Sequence, residues 1–141
     1  MIKKKINKIL VALDGSKNSQ RALDMGIFLA RKSNTKLMGI TIISNIPKKY
    51  HYLSYPEKPV LLAADKMMGS AKKKCAQNGI LFERKIDFGE PGPKITKFAE
   101  SLNFDIIIIG TRGMSGIKET LLGSVSNHIV HKSSVPVMIV K

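Results

Sequence analysis

The residues with the clearest chemical potential lie in one stretch, 110–126, which reads G-T-R-G-M-S-G-I-K-E-T-L-L-G-S-V-S. It follows four consecutive isoleucines and precedes a predicted helix. A strand, a glycine-rich loop and a helix start can together bind phosphate. Glycines let an anion approach the backbone, and a helix N-terminus offers free N–H groups. Ser124 and Ser126 would add hydroxyl donors at that terminus.

The glycines of this stretch have a definite spacing. Two residues separate Gly110 from Gly113, and nine residues separate Gly113 from the pair Gly123-Ser124. The stretch contains neither the G-x-x-x-x-G-K-[ST] pattern of a P-loop nor the G-x-G-x-x-G fingerprint of dinucleotide-binding folds. On the residues alone, two interpretations stay open: a phosphate-binding loop, or glycines that serve only turns and a helix cap.

This spacing resembles the nucleotide-binding signature of the universal stress protein family, in its ATP-binding branch. The resemblance covers nearly the whole chain. Besides the glycines, it rests on residues 9–13 with the following Asp14-Gly15-Ser16, on residues 105–110, on residues 122–126 and on the closing residues 135–140. It implies that the loop amides and the Gly-Ser helix start hold the phosphates of ATP. The positions that match are Gly110, Arg112, Gly113, Gly123, Ser124, Val125 and Ser126.

Four further positions belong to the nucleotide site that the resemblance implies. Asp14 matches an aspartate near the ribose and phosphates, where a carboxylate accepts from hydroxyls or helps to hold Mg²⁺ or Mn²⁺. Its alternative role is that of a turn residue before glycine. Ala12 and Leu13 line the same edge, and Ile42 matches a position whose backbone meets the adenine. The resemblance does not distinguish ATP from AMP or ADP as the resident ligand.

Hydrophobic periodicity predicts five strands that alternate with four helices, which is typical of a doubly wound, mostly parallel α/β sheet. The resemblance adds the strand order 3-2-1-4-5. The predicted strands are residues 6–13, 37–43, 80–88, 105–109 and 135–140. The predicted helices begin at the Ser16 cap, near residue 61, after the 89–93 turn and near residue 123. Residues 44–59 contain three prolines and three tyrosines, and they predict a long loop.

Length and composition limit the remaining possibilities. The 141 residues fit one domain, 1–141, with an apolar fraction of 43%. No stretch is long enough to span a membrane and no signal peptide is evident, so we expect a cytoplasmic protein without membrane attachment. Cys75 is the only cysteine and lies in a helical apolar stripe, which predicts a buried thiol. His128 and His131 share a helix face without a third ligand at suitable spacing, so we expect no metal site from them.

The formal net charge of +14 favours anionic partners. Its lysines form short scattered clusters, and the sequence shows no aromatic stacking platform, so we expect only non-specific attraction to nucleic acid. The first functional hypothesis is an ATP-binding stress-response sensor or regulator. The alternatives are a slow ATP hydrolase or a nucleotidyl- or phosphoryl-transfer enzyme using the same pocket, and, more weakly, a nucleic-acid-binding protein.

The last strand also predicts an interface. Residues 135–140 are apolar on both alternating faces, yet the implied strand order places them at the edge of the sheet. Pairing with the same strand of a second copy would satisfy its open N–H and C=O groups. We therefore expect a homodimer through the C-terminal strand, residues 135–141. The alternative is that a helix or the 44–59 loop covers this edge within one chain.

Overall fold

The computed structural model describes residues 5–44, 58–111 and 122–141. Five strands and four helices alternate along these ranges. In chain order they are β1 (Ile9–Ala12), α1 (Lys17–Ser33), β2 (Leu37–Ile43), α2 (Lys58–Gln77), β3 (Phe82–Phe88), α3 (Pro91–Ser101), β4 (Ile106–Gly110), α4 (Ser124–Lys132) and β5 (Val137–Val140). The α/β class expected from the sequence is confirmed.

The five strands form one sheet in the order β3-β2-β1-β4-β5, and every pair of neighbours is parallel. This confirms the implied order. The register sets Ile9 of β1 beside Leu37 of β2 on one side and Ile106 of β4 on the other. From β1 the chain winds towards β2, and from β4 it winds in the opposite direction towards β5. The carboxyl ends of β1 and β4 therefore flank the switch point at which ligands bind in such sheets.

The sheet separates two hydrophobic cores, and β1 contributes alternate side chains to both. Ile9 and Val11 pack in a core with α1 and α2, whereas Leu10 and Ala12 pack in a core with α3 and α4. All four residues of β1 are buried. A strand covered by helices on both faces has no polar face, which explains its unbroken apolar sequence.

Residues next to α1 in the sequence determine where this helix begins and where it ends. The Ser16 hydroxyl accepts a hydrogen bond from the N–H of Ser19 at 3.1 Å, which is the predicted N-cap. At the other end Asn34 has a left-handed φ of 51°, a conformation that asparagine tolerates. Six residues of α1 that recur at helical spacing are buried and form its inward face: Ser19, Ala22, Leu23, Gly26, Ile27 and Ala30.

The first strand is shorter than the predicted range 6–13, because its N-terminal neighbours bind a side chain instead of pairing as a strand. The N–H groups of Asn7 and Lys8 both donate to Oδ2 of Asp105, at 2.8 and 3.0 Å. At the other end, Leu13 still donates to the carbonyl of Ile40 at 2.9 Å, although β1 ends at Ala12.

The last strand begins at Val137 instead of residue 135. The N–H of Val135 donates to the hydroxyl of Ser133 at 3.0 Å, which closes a local turn. Pro136 has no N–H to donate, although its carbonyl accepts from Ile107 at 2.9 Å. The ladder therefore starts one residue after the proline.

The predicted loop 44–59 was too long at its C-terminal end, because α2 begins at Lys58. Pro59 lies in the first helical turn, where the missing N–H costs no intrahelical bond. Residues 45–57 lie outside the described part of the chain. At the far end of α2, Gly79 has φ 72°, and the N–H of Ile80 donates to the carbonyl of Cys75, so Asn78-Gly79 ends the helix.

Cys75 is fully buried in the core that α1 and α2 cover, as predicted. Burial raises the pKa of its thiol to about 11, because the thiolate would lose its hydration. Within the described ranges, no helix combines the length and the apolar character that a membrane span requires.

Candidate functional site

A cleft of about 530 Å³ opens at the carboxyl edge of the sheet, where β1, β2 and β4 end. This volume lies in the range that small-molecule ligands occupy. The cleft lies at the switch point between β1 and β4, and its walls also include the first turns of α3 and α4. The topology therefore brings together residues that are about 100 positions apart in the sequence.

The structure places nine of the eleven predicted site residues on the wall of this cleft. They are Ala12, Leu13, Asp14, Ile42, Gly110, Gly123, Ser124, Val125 and Ser126. The other two, Arg112 and Gly113, lie outside the described residues. The two sequence stretches that were predicted separately, one after β1 and one after β4, thus meet in a single cavity.

The N-terminus of α4 faces the cleft without a side-chain cap. Its N-cap residue is Gly123, which has no side chain to accept from the helix. The first intrahelical bond runs from Asn127 to the carbonyl of Gly123, so it leaves the N–H groups of Ser124, Val125 and Ser126 ahead of it. All three of these residues line the cleft. Three N–H groups at the positive end of a helix form a site for an anion.

The N-terminus of α1 lies at the same cleft but provides its own cap. The Ser16 hydroxyl accepts a hydrogen bond from the N–H of Ser19, and the Ser16 carbonyl accepts one from the N–H of Gln20 at 3.1 Å. The N–H of Ser16 itself donates to Oδ1 of Asp14 at 2.9 Å. The N–H of Ser19, the last of the three ahead of the first intrahelical bond of α1, is therefore already used by the cap, unlike its counterpart in α4.

The N-terminus of α3 also borders the cleft, through Pro91. Prolines at residues 91 and 93 remove two of the N–H groups that a helix start normally offers. The N-cap residue is Glu90, whose carboxylate makes no capping bond and repels anions. Among the three helix starts around the cleft, α4 is thus the one suited to phosphate.

Asp14 performs the turn role that the sequence left open as an alternative. It is exposed at the mouth of the cleft, and its Oδ1 closes an Asx-type turn on the N–H of Ser16. The second carboxylate oxygen remains available to the cleft. No group of three or more carboxylate, histidine or cysteine residues within the described ranges could hold a metal ion. A divalent cation beside Asp14 would therefore need phosphate oxygens as its other ligands.

Ser126 contributes to the cleft in a different way from the one expected. Its side chain is buried, and its hydroxyl is within reach of two carbonyl oxygens, those of Thr111 at 2.9 Å and Gly123 at 3.1 Å. A hydroxyl has one proton, so these carbonyls compete with any ligand for it. What Ser126 offers an anion is its backbone N–H, while Ser124 is exposed and its hydroxyl has no hydrogen-bond partner among the described residues.

The rest of the cleft has an apolar wall that the sequence predicted only in part. Ile42 was expected there, and the further apolar residues in contact with the cavity are Ile40, Pro91, Ile95 and Ile109. Four hydroxyl residues also line the cleft: Ser16, Ser19, Thr41 and Ser44. Ile40 and Ile109 could have been inferred, since they precede strand ends. Pro91 and Ile95 could not, because their contact depends on how α3 packs across β2. An apolar wall beside backbone donors suits an aromatic base.

The two histidines of α4 have structural surroundings. His128 is half-buried, and its ring packs so closely on Gly92 of α3 that a Cβ there would lie 2.8 Å from ring carbons. His131 is exposed. These positions agree with the expected surface or partly buried histidines, and they explain why α3 carries a glycine where it meets α4.

The sequence profile of the universal stress protein family matches residues 5–141. The chain belongs to the universal stress protein family. The match includes every element of the fold, so the cleft just described lies within the family domain.

Individual relatives agree with this assignment over nearly their whole length. This universal stress protein is 34% identical to universal stress protein YxiE of Bacillus subtilis, over 96% of this chain and 99% of YxiE. Among solved structures, hypothetical protein MJ0577 superposes with a TM-score of 0.82 at 30% identity, covering 96% of both chains. A universal stress protein in complex with cAMP gives a TM-score of 0.76 at 25% identity, covering 97% of this chain and 98% of that one.

Proposed function

We propose that this universal stress protein binds ATP in the cleft at the switch point and acts as a nucleotide-dependent sensor or regulator. The observation that carries the proposal is the uncapped N-terminus of α4, which faces a cleft whose other helix starts are capped or lack donors. Phosphates would accept from the N–H groups of Ser124, Val125 and Ser126. The base would lie against the apolar wall near Ile42.

The comparisons support an adenine nucleotide as the ligand. The similar universal stress protein that was solved with cAMP has 25% sequence identity to this chain over nearly its whole length. A nucleoside phosphate matches both parts of the cleft described here: an apolar wall and an open helix N-terminus. The phosphates of the nucleotide would lie at the N-terminus of α4, and Asp14 would help to hold a Mg²⁺ or Mn²⁺ ion that offsets their charge.

Binding is favoured over catalysis by the chemistry of the wall. Asp14 is the one ionisable side chain among the described residues that line the cleft, and it already accepts from Ser16. A phosphoryl-transfer enzyme would need further charged groups to stabilise the transition state. We accordingly propose a regulatory role in which the occupied and empty states differ in the partners they recruit. The cytoplasmic location stays a prediction from the sequence.

We further propose that the protein is a homodimer through β5. In the described sheet β5 pairs only with β4, so its second edge is open. Edge strands of this kind are commonly paired or covered in folded proteins.

One experiment tests the ligand directly. Protein purified without added nucleotide is denatured, and the released small molecules are identified by chromatography and mass spectrometry. Calorimetric titrations of the emptied protein with ATP, ADP, AMP, adenosine and GTP then rank the ligands, with and without magnesium. We expect the adenine nucleotides to bind more tightly than adenosine and GTP. Release of no nucleotide, together with no ATP binding at millimolar concentration, would overturn the proposal. Product release during incubation with ATP would instead favour the hydrolase alternative.

A further inference from the structure

Thr111, the residue that follows β4, makes hydrogen bonds to three different elements. Its N–H donates to the carbonyl of Val140 in β5 at 2.9 Å. Its carbonyl accepts from the N–H of Gly123 at 2.7 Å and from the hydroxyl of Ser126 at 2.9 Å. Its hydroxyl oxygen accepts from Nδ2 of Asn18 in α1 at 3.0 Å. One residue thus joins β5, the start of α4 and the first turn of α1.

The bond from Asn18 has a defined direction. The guanidinium of Arg21 is 3.5 Å from Oδ1 of Asn18, and a guanidinium can only donate. The amide oxygen of Asn18 therefore faces Arg21, and its nitrogen faces the hydroxyl of Thr111. The turn that carries Asn18 is itself fixed by the Ser16 cap, so α1 presents this amide from a rigid position.

The consequence concerns the open end of α4. Gly123 directly precedes the three N–H groups at the start of α4, and Ser126 carries the last of them. The N–H of Gly123 and the hydroxyl of Ser126 both donate to the same carbonyl of Thr111. The position of that carbonyl relative to the sheet therefore sets the position of the anion site. Small displacements of these N–H groups would weaken their hydrogen bonds to a bound anion, because a hydrogen bond weakens steeply as its distance and angle depart from the optimum.

We infer that Thr111 is a positioning residue, held by Asn18, that fixes the N-terminus of α4 for the phosphates of the nucleotide. Neither Thr111 nor Asn18 lines the cleft, so each acts through α4 rather than by touching the ligand. The inference rests on the proposed function. It specifies that the phosphate-dependent part of the affinity depends on this connection, whereas the affinity for the base and ribose does not.

The test compares Thr111→Val with Thr111→Ser. Valine keeps the shape and the backbone bonds of threonine but cannot accept from Asn18, whereas serine keeps the hydroxyl. Asn18→Ala removes the bond from the other side. Gln20→Ala is the matched control, because Gln20 is an exposed amide residue on the same helix and its side chain makes no hydrogen bond to the described residues. Affinities for AMP, ATP and adenosine are measured by calorimetry, and the melting temperature is followed for each variant.

We expect Thr111→Val and Asn18→Ala to weaken AMP and ATP binding about three- to tenfold, the usual effect of one neutral hydrogen bond, with adenosine binding unchanged. Thr111→Ser and Gln20→Ala should bind like wild type. Equal losses for AMP and adenosine, or wild-type AMP affinity in Thr111→Val, would overturn the inference. If wild type binds ATP no more tightly than adenosine, the proposed function itself fails.

A ligand-free measurement keeps the positioning role testable in that case. In ¹H–¹⁵N spectra, the amide signals of residues 123–126 should move in Thr111→Val and Asn18→Ala but stay in place in Gln20→Ala. Their amide hydrogens should also exchange faster in the first two variants, since the connection that orders them is weaker. Unchanged signals and exchange rates in both variants would contradict the inference without any nucleotide.

Discussion

Gly110 at the end of β4 lies directly against Asn18 in the first turn of α1. A Cβ built on Gly110 would come within 2.8 Å of the carbonyl carbon and the Cβ of Asn18, and within 3.0 Å of its carbonyl oxygen. Two of these atoms belong to the backbone, so they cannot be moved by a change of rotamer. The first glycine of the predicted phosphate loop therefore has a packing role, in which it lets α1 approach the edge of the cleft.

The first prediction follows from this contact. Gly110→Ala should lower the free energy of unfolding by about 1–3 kcal/mol, the typical cost of overpacking a close contact. Gly69→Ala is the control, because Gly69 lies on the exposed side of α2, where an added Cβ would meet nothing within 4 Å beyond its own stretch of helix, and alanine there should stabilise the protein. Urea denaturation of both variants measures the difference. A Gly110→Ala protein as stable as wild type would show that the contact can relax.

The second prediction concerns Gly123, whose φ of −64° and ψ of 164° suit any L-residue at an N-cap. Gly123→Asp should cap α4 with its own carboxylate and repel phosphate, because like charges in a partly enclosed site cost several kcal/mol. We expect a folded protein whose affinity for ATP falls more than about 100-fold. Gly123→Asn is the matched control, since it occupies the same space and caps the same N–H groups without the charge. Calorimetry in which Asp and Asn variants lose equal affinity would point to blocked space rather than to charge.

How far the sequence predicts the site depends on whether the signal is local. Ser16 and Asn34 determine the ends of α1 through their own side chains, so both were predictable from the sequence alone. The nine predicted wall residues were implied by the resemblance to the universal stress protein family, and that resemblance rests on motifs and a glycine spacing that are visible in the chain. The contacts of Pro91 and Thr111 depend on the packing of α3 and on three separate elements. No local pattern encodes such contacts.

The strand boundaries illustrate the same limit. The apolar runs at 6–13 and 135–140 suggested longer strands than β1 and β5. The carboxylate of Asp105, 97 positions away, shortens β1 because it accepts a hydrogen bond from the N–H of Lys8. The hydrophobic pattern indicates which residues are buried. Where a strand begins and ends also depends on side-chain acceptors that compete for its backbone N–H groups, and these come close only in the folded chain.

The third prediction separates the two roles of Asp14. Asp14→Asn keeps an oxygen that can accept from the N–H of Ser16, whereas Asp14→Ala removes it. We expect the Asn variant to keep its melting temperature and to lose the enhancement of ATP affinity by magnesium, because a neutral amide is a poor ligand for Mg²⁺. The Ala variant should lose both the enhancement and some stability. If magnesium enhances ATP binding equally in wild type and Asn variant, Asp14 serves only the turn.

The fourth prediction uses the buried thiol. Burial raises the pKa of Cys75 to about 11 from an ordinary value of 9.0, so the unfolded chain loses this proton first as the pH rises. Stability should be independent of this group below pH 9 and should fall between pH 9 and 11, by up to about 3 kcal/mol. Cys75→Ala lacks this loss, so the difference in unfolding free energy between the two proteins should shrink over that range. A constant difference would show that the thiol titrates normally.

The same burial makes a second measurement available for Cys75. Its side chain has no accessible surface, so iodoacetamide at pH 8 should leave the folded protein unmodified and should alkylate it in denaturant. Alkylation of the native protein at the unfolded rate would contradict the buried position.

The fifth prediction concerns the proposed dimer and the open edge of β5. The carbonyls of Pro136 and Val140 accept from Ile107 and Thr111, so the backbone of these even-numbered positions faces β4. Because a strand presents alternate residues to its two neighbours, the N–H and C=O groups of Val137 and Ile139 face the open edge. These are the groups that an antiparallel partner strand would bind about a two-fold axis.

Side-chain substitutions alone test this interface poorly, because the side chains of β5 pack on the two cores of the same chain. Met138 packs with the α1 side and Ile139 with the α4 side, so a charge at Met138 would disturb the monomer as well. Ile139→Pro instead removes an outward N–H, while the ladder to β4 keeps its donors. Ile139→Ala is the matched control, since it loses the side chain but keeps the N–H. In sedimentation at micromolar concentration we expect wild type and Ile139→Ala to be dimers and Ile139→Pro to be a folded monomer. A wild-type monomer, or a dimer that tolerates the proline, would refute pairing through β5.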